Sequence, residues 1–112
     1  MSYKYSSPTD KIVLGRDFNF YTKIDVTVGS FQAAYDAIIT FPTQTVMLLN
    51  EDTGSDIVEY SFNGNTLHGE LNPALITKSM TFDNRVISKI WFRVKSGSTG
   101  PITVRIDAWA TR

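Results

Sequence analysis

The chain has 112 residues, the length of one ordinary domain built around a single hydrophobic core. Its composition is that of a globular protein, with 42% hydrophobic and 20% charged residues. Eleven basic residues balance eleven acidic ones, so the chain has no general attraction to phosphate backbones or anionic membranes. We therefore expect neither a nucleic-acid partner nor a membrane partner. The absence of cysteine excludes disulfides, thiol nucleophiles and cysteine-ligated metals.

The first residues are polar and include Ser6, Ser7 and Pro8. They lack the apolar run of a secretory signal, and no stretch of the sequence approaches the length of a membrane span. We expect residues 1–10 to form a flexible arm, residues 11–112 to form one β-sandwich domain, and synthesis to take place in the cytoplasm.

The first strand is expected over residues 18–28. Apolar residues occupy alternate positions and polar residues lie between them, which is the pattern of a half-buried strand. The apolar positions are Phe18, Phe20, Ile24, Val26 and Val28. The pattern breaks at Gly29, and helical spacing over residues 31–38 then predicts one short helix capped by Ser30.

Four further strands are expected between this helix and the last third of the chain. The runs at 45–49, 57–62, 67–71 and 75–82 are separated by clusters of Asn, Asp, Gly, Thr and Pro. The strongest β signals come last, at 86–94 and 102–109, joined by a loop rich in glycine and serine. These strands predict an all-β fold, a two-sheet antiparallel sandwich or jelly roll with at most one short helix.

The last two strands are expected to pair with each other as a hairpin. Starting from Val94 opposite Ile102, one face carries the pairs Phe92 with Val104 and Ile90 with Ile106, and the other carries Lys89 with Asp107, Trp91 with Arg105 and Ile87 with Trp109. Each pair is favourable across an antiparallel ladder. This hairpin is apolar on both faces, whereas a two-layer sandwich buries only one face of each sheet.

The second face of this hairpin is the predicted site. Tryptophan and arginine are enriched at protein interfaces, so we predict a protein interface formed by Ile87, Trp91, Arg93, Arg105 and Trp109. The alternative is that the same face belongs to the sandwich interior or is covered by the N-terminal segment or the helix.

Residues suited to catalysis or metal binding are few. His68 is the only histidine, and without a second histidine or a cysteine it is expected to form a structural hydrogen bond in a loop or at a strand edge. Glu51, Asp52 and Asp56 lack the spacing of a calcium loop, which favours a solvated acidic turn. We therefore expect no enzymatic activity, no cofactor and no metal.

Three segments carry a resemblance to a known class of proteins: EYSFNGNTLHGEL, MTFDNRVISKIWFRV and ITVRIDAWA. The C-terminal half that contains them resembles small β-rich virion proteins of tailed bacteriophages, in particular the capsid decoration or cement proteins. The resemblance implies a non-enzymatic jelly roll located in the virion and made in the host cytoplasm. Its partners would be further copies of itself, as a dimer or trimer, and a major capsid or other virion protein.

A second function fits the same aromatic residues. A carbohydrate-binding or receptor-binding module of a phage tail would stack sugar rings on Trp91, Trp109 and Tyr60. Such a platform needs rings that lie accessible in the isolated protomer, with amide or carboxylate groups beside them.

Overall fold

The computed structural model describes residues 18–110. Both the expected arm at residues 1–10 and the first seven residues of the expected domain lie outside this range. The described chain contains eight strands: β1 (Phe18–Val26), β2 (Asp36–Ile38), β3 (Thr45–Asn50), β4 (Val58–Ser61), β5 (Gly69–Leu71), β6 (Ser79–Asp83), β7 (Lys89–Val94) and β8 (Ile102–Ala110). Two 3-10 turns, Ala33–Tyr35 and Ile76–Lys78, complete the regular structure. No helix in this range is long and apolar enough to cross a membrane.

The eight strands form two four-stranded antiparallel sheets. Sheet 1 has the order β1-β8-β3-β6, and sheet 2 has the order β2-β7-β4-β5. Most connections cross from one sheet to the other, and only β4 and β5 are both consecutive in sequence and paired. This order is that of an eight-stranded jelly roll. The predicted all-β, two-sheet fold is confirmed.

The core lies between the two sheets and follows the period-2 pattern of the strands. On β8 the inward side chains at even positions are all buried and those at odd positions are not. Phe92 and Ile106 are fully buried, which confirms the predicted inner faces of β7 and β8. A buried amide, Asn50, is satisfied because its Nδ2 donates to the carbonyl oxygens of Asp56 at 3.0 Å and Leu71 at 2.9 Å.

The expected hairpin of the last two strands is wrong. β7 lies in sheet 2 between β2 and β4, whereas β8 lies in sheet 1 between β1 and β3. The loop at 95–101 therefore crosses the sandwich instead of turning back within one sheet. The actual Cα partners of Trp91 are Asp36 and Ser61, and those of Arg105 are Lys23 and Leu49. Sequence adjacency favours pairing, but in this topology β7 and β8 lie in different sheets and their inward side chains contribute to the same core.

The expected helix at 31–38 is also wrong in type. Only Ala33–Tyr35 form a 3-10 turn, and β2 follows it at once. The residue before the turn, Gln32, is extended and has no capping side-chain hydrogen bond. The Ser30 hydroxyl instead accepts a hydrogen bond from the Gln32 side chain. A short helix without a capping side chain is not stable by itself. The apolar residues of 31–38 therefore lie in a 3-10 turn and a short edge strand.

Candidate protein interface

The structure divides the five predicted interface residues among three places. Trp91 and Arg93 lie on the outer face of sheet 2, and Arg105 and Trp109 lie on the outer face of sheet 1. Ile87 is 7% exposed and belongs to the core. The expectation that all five share one face is wrong, because it depended on the hairpin that does not form. The contact of each residue with another chain stays a prediction.

On the outer face of sheet 2, Trp91 is covered by the chain's own residues. A Cβ built on Gly64 would lie 3.1 Å from Cε2 of the indole, so the backbone of the β4–β5 loop packs directly on the ring. The Lys89 ammonium lies 4.6 Å from the ring centroid and forms an ion pair with Asp36 at 3.4 Å. The ring is thus held by a backbone contact and by a paired cation.

Arg93, on the same face, is also satisfied within the chain. Its Nε donates to Oε1 of Glu59 at 2.6 Å, and its guanidinium lies 4.3 Å from the centroid of the Phe31 ring. Glu59 is 7% exposed, so its carboxylate depends on this partner in place of water. Arg93 therefore has a structural role that the sequence did not reveal.

The loop that covers Trp91 is folded by its own hydrogen bonds. The Ser61 hydroxyl accepts from the backbone N–H groups of Asn63 and Gly64 at 3.2 and 3.0 Å. The Nδ1 atom of His68 accepts from the N–H of Phe62 at 3.0 Å, and the imidazole packs against the Phe62 ring. The predicted structural role of His68 is confirmed.

The outer face of sheet 1 has a different character, and we call it the open face. β8 runs through its centre, with β1 and β3 on either side. The register places Asp107 between Tyr21 and Met47, and Arg105 between Lys23 and Leu49. The open face is defined by Tyr21, Met47, Leu49, Arg105, Asp107 and Trp109. Tyr21 is 56% exposed and Trp109 is 40% exposed.

The charged side chains on the open face and at its rim form ion pairs of opposite charge. Nε of Arg105 donates to Oδ2 of Asp107 at 2.8 Å, and the guanidinium lies 4.9 Å from the centroid of the Tyr21 ring. At the rim, the Lys23 ammonium contacts Glu51 at 3.0 Å. The hydrogen bond to Asp107 raises the pKa of Arg105, and the hydrogen bond to Glu51 raises the pKa of Lys23. Both cations therefore stay charged at every physiological pH, while their exposure keeps each pair weak.

Three members of this surface, Tyr21, Met47 and Leu49, are not among the residues predicted from the sequence. Met47 and Leu49 do have a signal in the sequence, because the run TVMLL at 45–49 carries apolar residues at odd as well as even positions. A strand with two apolar faces in a two-layer fold presents one of them to something outside the sandwich.

The three candidate sugar-stacking residues also lie in three different environments. Tyr60 is 4% exposed and packs in the core, where burial raises the pKa of its phenol. Trp91 is covered by the Gly64 loop. Trp109 is accessible, with Asn19 and Thr45 as its partners on the two neighbouring strands. Of the three, one ring thus meets the requirement for an accessible platform with polar groups beside it.

The acidic turn after β3 is organised by backbone contacts. Oδ2 of Asp52 accepts from the N–H groups of Gly54 at 2.9 Å and Asp56 at 3.3 Å, and Oδ1 of Asp56 accepts from the N–H of Thr99 at 3.2 Å. Glu51 points to Lys23. Within residues 18–110 no three acidic or histidine side chains converge in the way a metal ion requires.

Comparison with known proteins identifies relatives of the fold. No protein-family model matches the sequence, and a search of curated proteins found no match. The chain is similar to one in the acidic stable capsid structure of Helicobacter pylori bacteriophage KHP30, with a TM-score of 0.53 and 13% identity over 86% of this chain and 87% of that chain. It is also similar to the SPBc2 prophage-derived protein YomS, with a TM-score of 0.51 and 14% identity over 84% of this chain and 95% of that chain.

These similarities extend over most of each chain. Because the sequence identities are low, they show a shared fold and nothing more specific. The expected resemblance to small β-rich phage proteins is confirmed at that level: the chain shares its jelly roll with a chain of a phage capsid structure and with a prophage-derived protein.

Proposed function

We propose that this protein is a non-enzymatic structural component of a phage virion that decorates or cements the capsid through protein-protein contacts. The observation that carries the proposal is the open face, where Tyr21, Trp109 and the half-buried Met47 and Leu49 lie together on the outside of sheet 1. Tyrosine, tryptophan, methionine and arginine are the residue types enriched at the centre of protein interfaces. The shared fold with a chain of a phage capsid structure supports the virion context.

The partners we propose are further copies of the chain, as a dimer or trimer, and a major capsid or other virion protein. The open face suits such contacts because its cations are already paired with Asp107 and Glu51. Burying a neutralised pair with its hydrogen bonds intact leaves no uncompensated charge in the interface. The location that follows is the virion, after synthesis in the host cytoplasm.

The test is binding of the purified full-length chain to shells of the source phage assembled without it. Sedimentation of shells with the protein should show saturable binding at a fixed ratio to the major capsid subunit. Mass measurement of the chain alone reports its own oligomeric state. The proposal is contradicted if the chain binds neither shells nor other virion components and does not self-associate.

His68→Ala provides the test of the non-enzymatic part. The imidazole accepts one loop hydrogen bond, so the variant should bind shells as the wild-type chain does once its fold is verified. Loss of function in a folded His68→Ala protein would instead indicate chemistry at this residue.

A carbohydrate-binding or receptor-binding module of a phage tail is the second candidate function. It is favoured by one observation, the accessible Trp109 ring flanked by Asn19 and Thr45. A glycan array probed with the full-length chain separates the two functions. Glycan binding that Trp109→Ala abolishes, together with absence of shell binding, would favour the module.

A further inference from the structure

The loop between β4 and β5 contains the only Asn-Gly pair of the sequence, Asn63 and Gly64. In such a pair the backbone nitrogen of the glycine can attack the side-chain Cγ of the asparagine, because glycine has no Cβ to obstruct the approach. The nitrogen loses its proton, ammonia leaves and a succinimide ring forms. Water then opens the ring at either carbonyl, which gives an aspartate or an isoaspartate and adds a negative charge.

The nucleophile of this reaction is hydrogen-bonded in the folded loop. The Gly64 N–H donates to the Ser61 hydroxyl oxygen at 3.0 Å, and the same oxygen accepts from the N–H of Asn63 at 3.2 Å. The Ser61 hydroxyl donates its own proton to Oδ1 of Asn63 at 3.0 Å. Ser61 is fully buried, and these bonds use its one proton and both lone pairs. A neutral hydroxyl is too weak a base to remove the Gly64 proton, so the nitrogen stays protonated and unreactive.

The carbon under attack is held by the same network. Oδ1 of Asn63 accepts from the backbone N–H groups of Asn65 and Thr66, both at 2.8 Å, and Nδ2 donates to the Thr66 hydroxyl at 3.3 Å. Donors to Oδ1 draw electrons from Cγ and by themselves favour attack. Attack nevertheless requires the deprotonated nitrogen, and loss of the Gly64 proton deprives the buried Ser61 oxygen of a donor. The state of the nitrogen therefore decides the rate.

Trp91 restrains the same backbone from the other side. A Cβ built on Gly64 would lie 3.1 Å from Cε2 of the indole, so the glycine backbone lies against the ring. Any rotation of the peptide between Asn63 and Gly64 moves the glycine against this closely packed surface. Both the hydrogen bonds and the packing thus have to be released before the succinimide ring can close.

We propose that Asn63 is a deamidation site whose reaction the folded loop suppresses through the Ser61 hydroxyl. Reaction then takes place in the small fraction of molecules in which the loop is open, and its rate measures that fraction. An isoaspartate at position 63 adds a methylene group to the backbone before Gly64, so the glycine no longer fits over Trp91. Slow opening of the loop is thereby recorded as a permanent change on the outer face of sheet 2. This assignment does not depend on what the open face binds.

The first test compares folded and unfolded wild-type protein. The full-length chain is held in mildly alkaline buffer with and without guanidinium chloride, and digestion after glutamate releases residues 60–70. Mass spectrometry of this peptide follows deamidation of Asn63, with Asn65 as the internal control. Asn63 should react faster than Asn65 in the unfolded chain, and at least about tenfold more slowly when the chain is folded.

Three outcomes of this comparison overturn the proposal. Equal rates for Asn63 and Asn65 in the unfolded chain mean that Asn63 is not a preferred site. Equal rates for Asn63 in the folded and unfolded chain mean that the loop gives no protection. Faster reaction in the folded chain means that the donors to Oδ1 activate Cγ.

Ser61→Ala tests the role of the hydroxyl. The variant removes the acceptor of the Gly64 N–H, so deamidation of Asn63 in the folded protein should accelerate at least about fivefold. The matched control is Ser79→Ala, at an exposed position of β6, which should keep the wild-type rate. Circular dichroism verifies that both variants are folded. An unchanged rate in folded Ser61→Ala, or equal acceleration in both variants, contradicts the assignment.

The isoaspartate product is tested after separation from the intact chain by anion exchange, which its additional negative charge allows. It should unfold at a lower urea concentration, because Gly64 no longer packs over Trp91. Equal midpoints for the isoaspartate and intact chains would show that the loop accommodates the modification, and the proposed effect on the outer face of sheet 2 would be wrong.

Hydrogen exchange of the Gly64 amide examines the same hydrogen bond in the wild-type chain, without any variant. This amide exchanges when its bond to Ser61 is broken, so its protection should match the slowing of deamidation to within about threefold. Exchange of the Gly64 amide at the unstructured rate, while deamidation remains slow, would show that a feature other than Ser61 protects Asn63, and the proposal would be overturned.

Discussion

The two outer faces of this sandwich carry similar residues and use them differently. Each has a tryptophan and an arginine on a central strand, Trp91 and Arg93 on β7 and Trp109 and Arg105 on β8. On sheet 2 the loops of the same chain pack over these residues and a buried carboxylate pairs with the guanidinium. On sheet 1 the tryptophan stays 40% exposed. Residue type alone therefore does not distinguish an interface anchor from part of an outer, secondary core.

Truncations in the core between the sheets give the largest expected loss of stability, with which the variants on the two outer faces are compared. Phe92→Ala and Ile106→Ala each remove a fully buried side chain and should lower the free energy of unfolding by about 2 to 5 kcal/mol. Urea unfolding followed by tryptophan fluorescence measures the loss. Wild-type stability in both variants would mean that the inner faces of β7 and β8 are assigned to the wrong side.

Trp91→Ala is the strongest test of the covered outer face of sheet 2. Because the indole is packed under Gly64 and beside Lys89, its truncation should destabilise the protomer by about 2 to 3 kcal/mol, somewhat less than the loss of a fully buried ring. Binding of the folded variant to its partner should be unchanged. A stable Trp91→Ala protein with a specific binding defect would show that the covered face opens to form an interface.

Trp109→Ala should give the opposite result. Truncating an exposed anchor should change unfolding by less than about 0.5 kcal/mol, while the loss of a desolvated aromatic weakens binding by about 2 kcal/mol or more. Unfolding and shell binding are measured on the same preparation. The matched control is Ile38→Ala, which removes a 57% exposed apolar side chain from the sheet 2 side and should alter neither property.

Gly64→Ala tests the covered face in a second way, because it changes the loop that covers Trp91 and leaves the indole ring in place. Gly64 has φ +79° and a new Cβ would meet the indole at 3.1 Å, so unfolding should be easier by about 1 to 2 kcal/mol. Gly97→Ala is the control, since it has φ +94° but no atom within 4 Å of the new Cβ. The excess loss at Gly64 should disappear in the Trp91→Ala background. Equal losses in both glycine variants would show that backbone strain alone is responsible.

Local patterns in the sequence predict the strands well but not their partners. Alternation over residues 18–28 and the β-branched runs at 86–94 and 102–109 locate β1, β7 and β8 because period-2 burial is a local property. Which strands pair is decided by the long-range crossing of the 95–101 loop, and no local signal distinguishes that crossing from a hairpin turn.

The candidate site depended on this pairing, so it could be predicted only in part. Trp109 and Arg105 do lie on an exposed face, but their neighbours come from β1 and β3 and not from β7. Trp91 is covered by the backbone of Gly64. Glycine has no side chain, so the pattern of side chains along the sequence does not predict this contact. Contacts of this kind depend on loop conformation, which the sequence pattern does not specify.

Arg105→Ala should have the smallest effect of the variants considered, and its form is more informative than its size. The guanidinium is partly exposed and hydrogen-bonded to Asp107, so its removal should change the stability of the protomer only slightly. A charge that stays hydrated in the complex changes mainly the association rate and its dependence on salt. Stopped-flow or surface-based kinetics at low and high salt should therefore show slower association at low salt, with dissociation nearly unchanged. A large increase in the dissociation rate would instead show that Arg105 is desolvated in the interface and acts as an anchor beside Trp109.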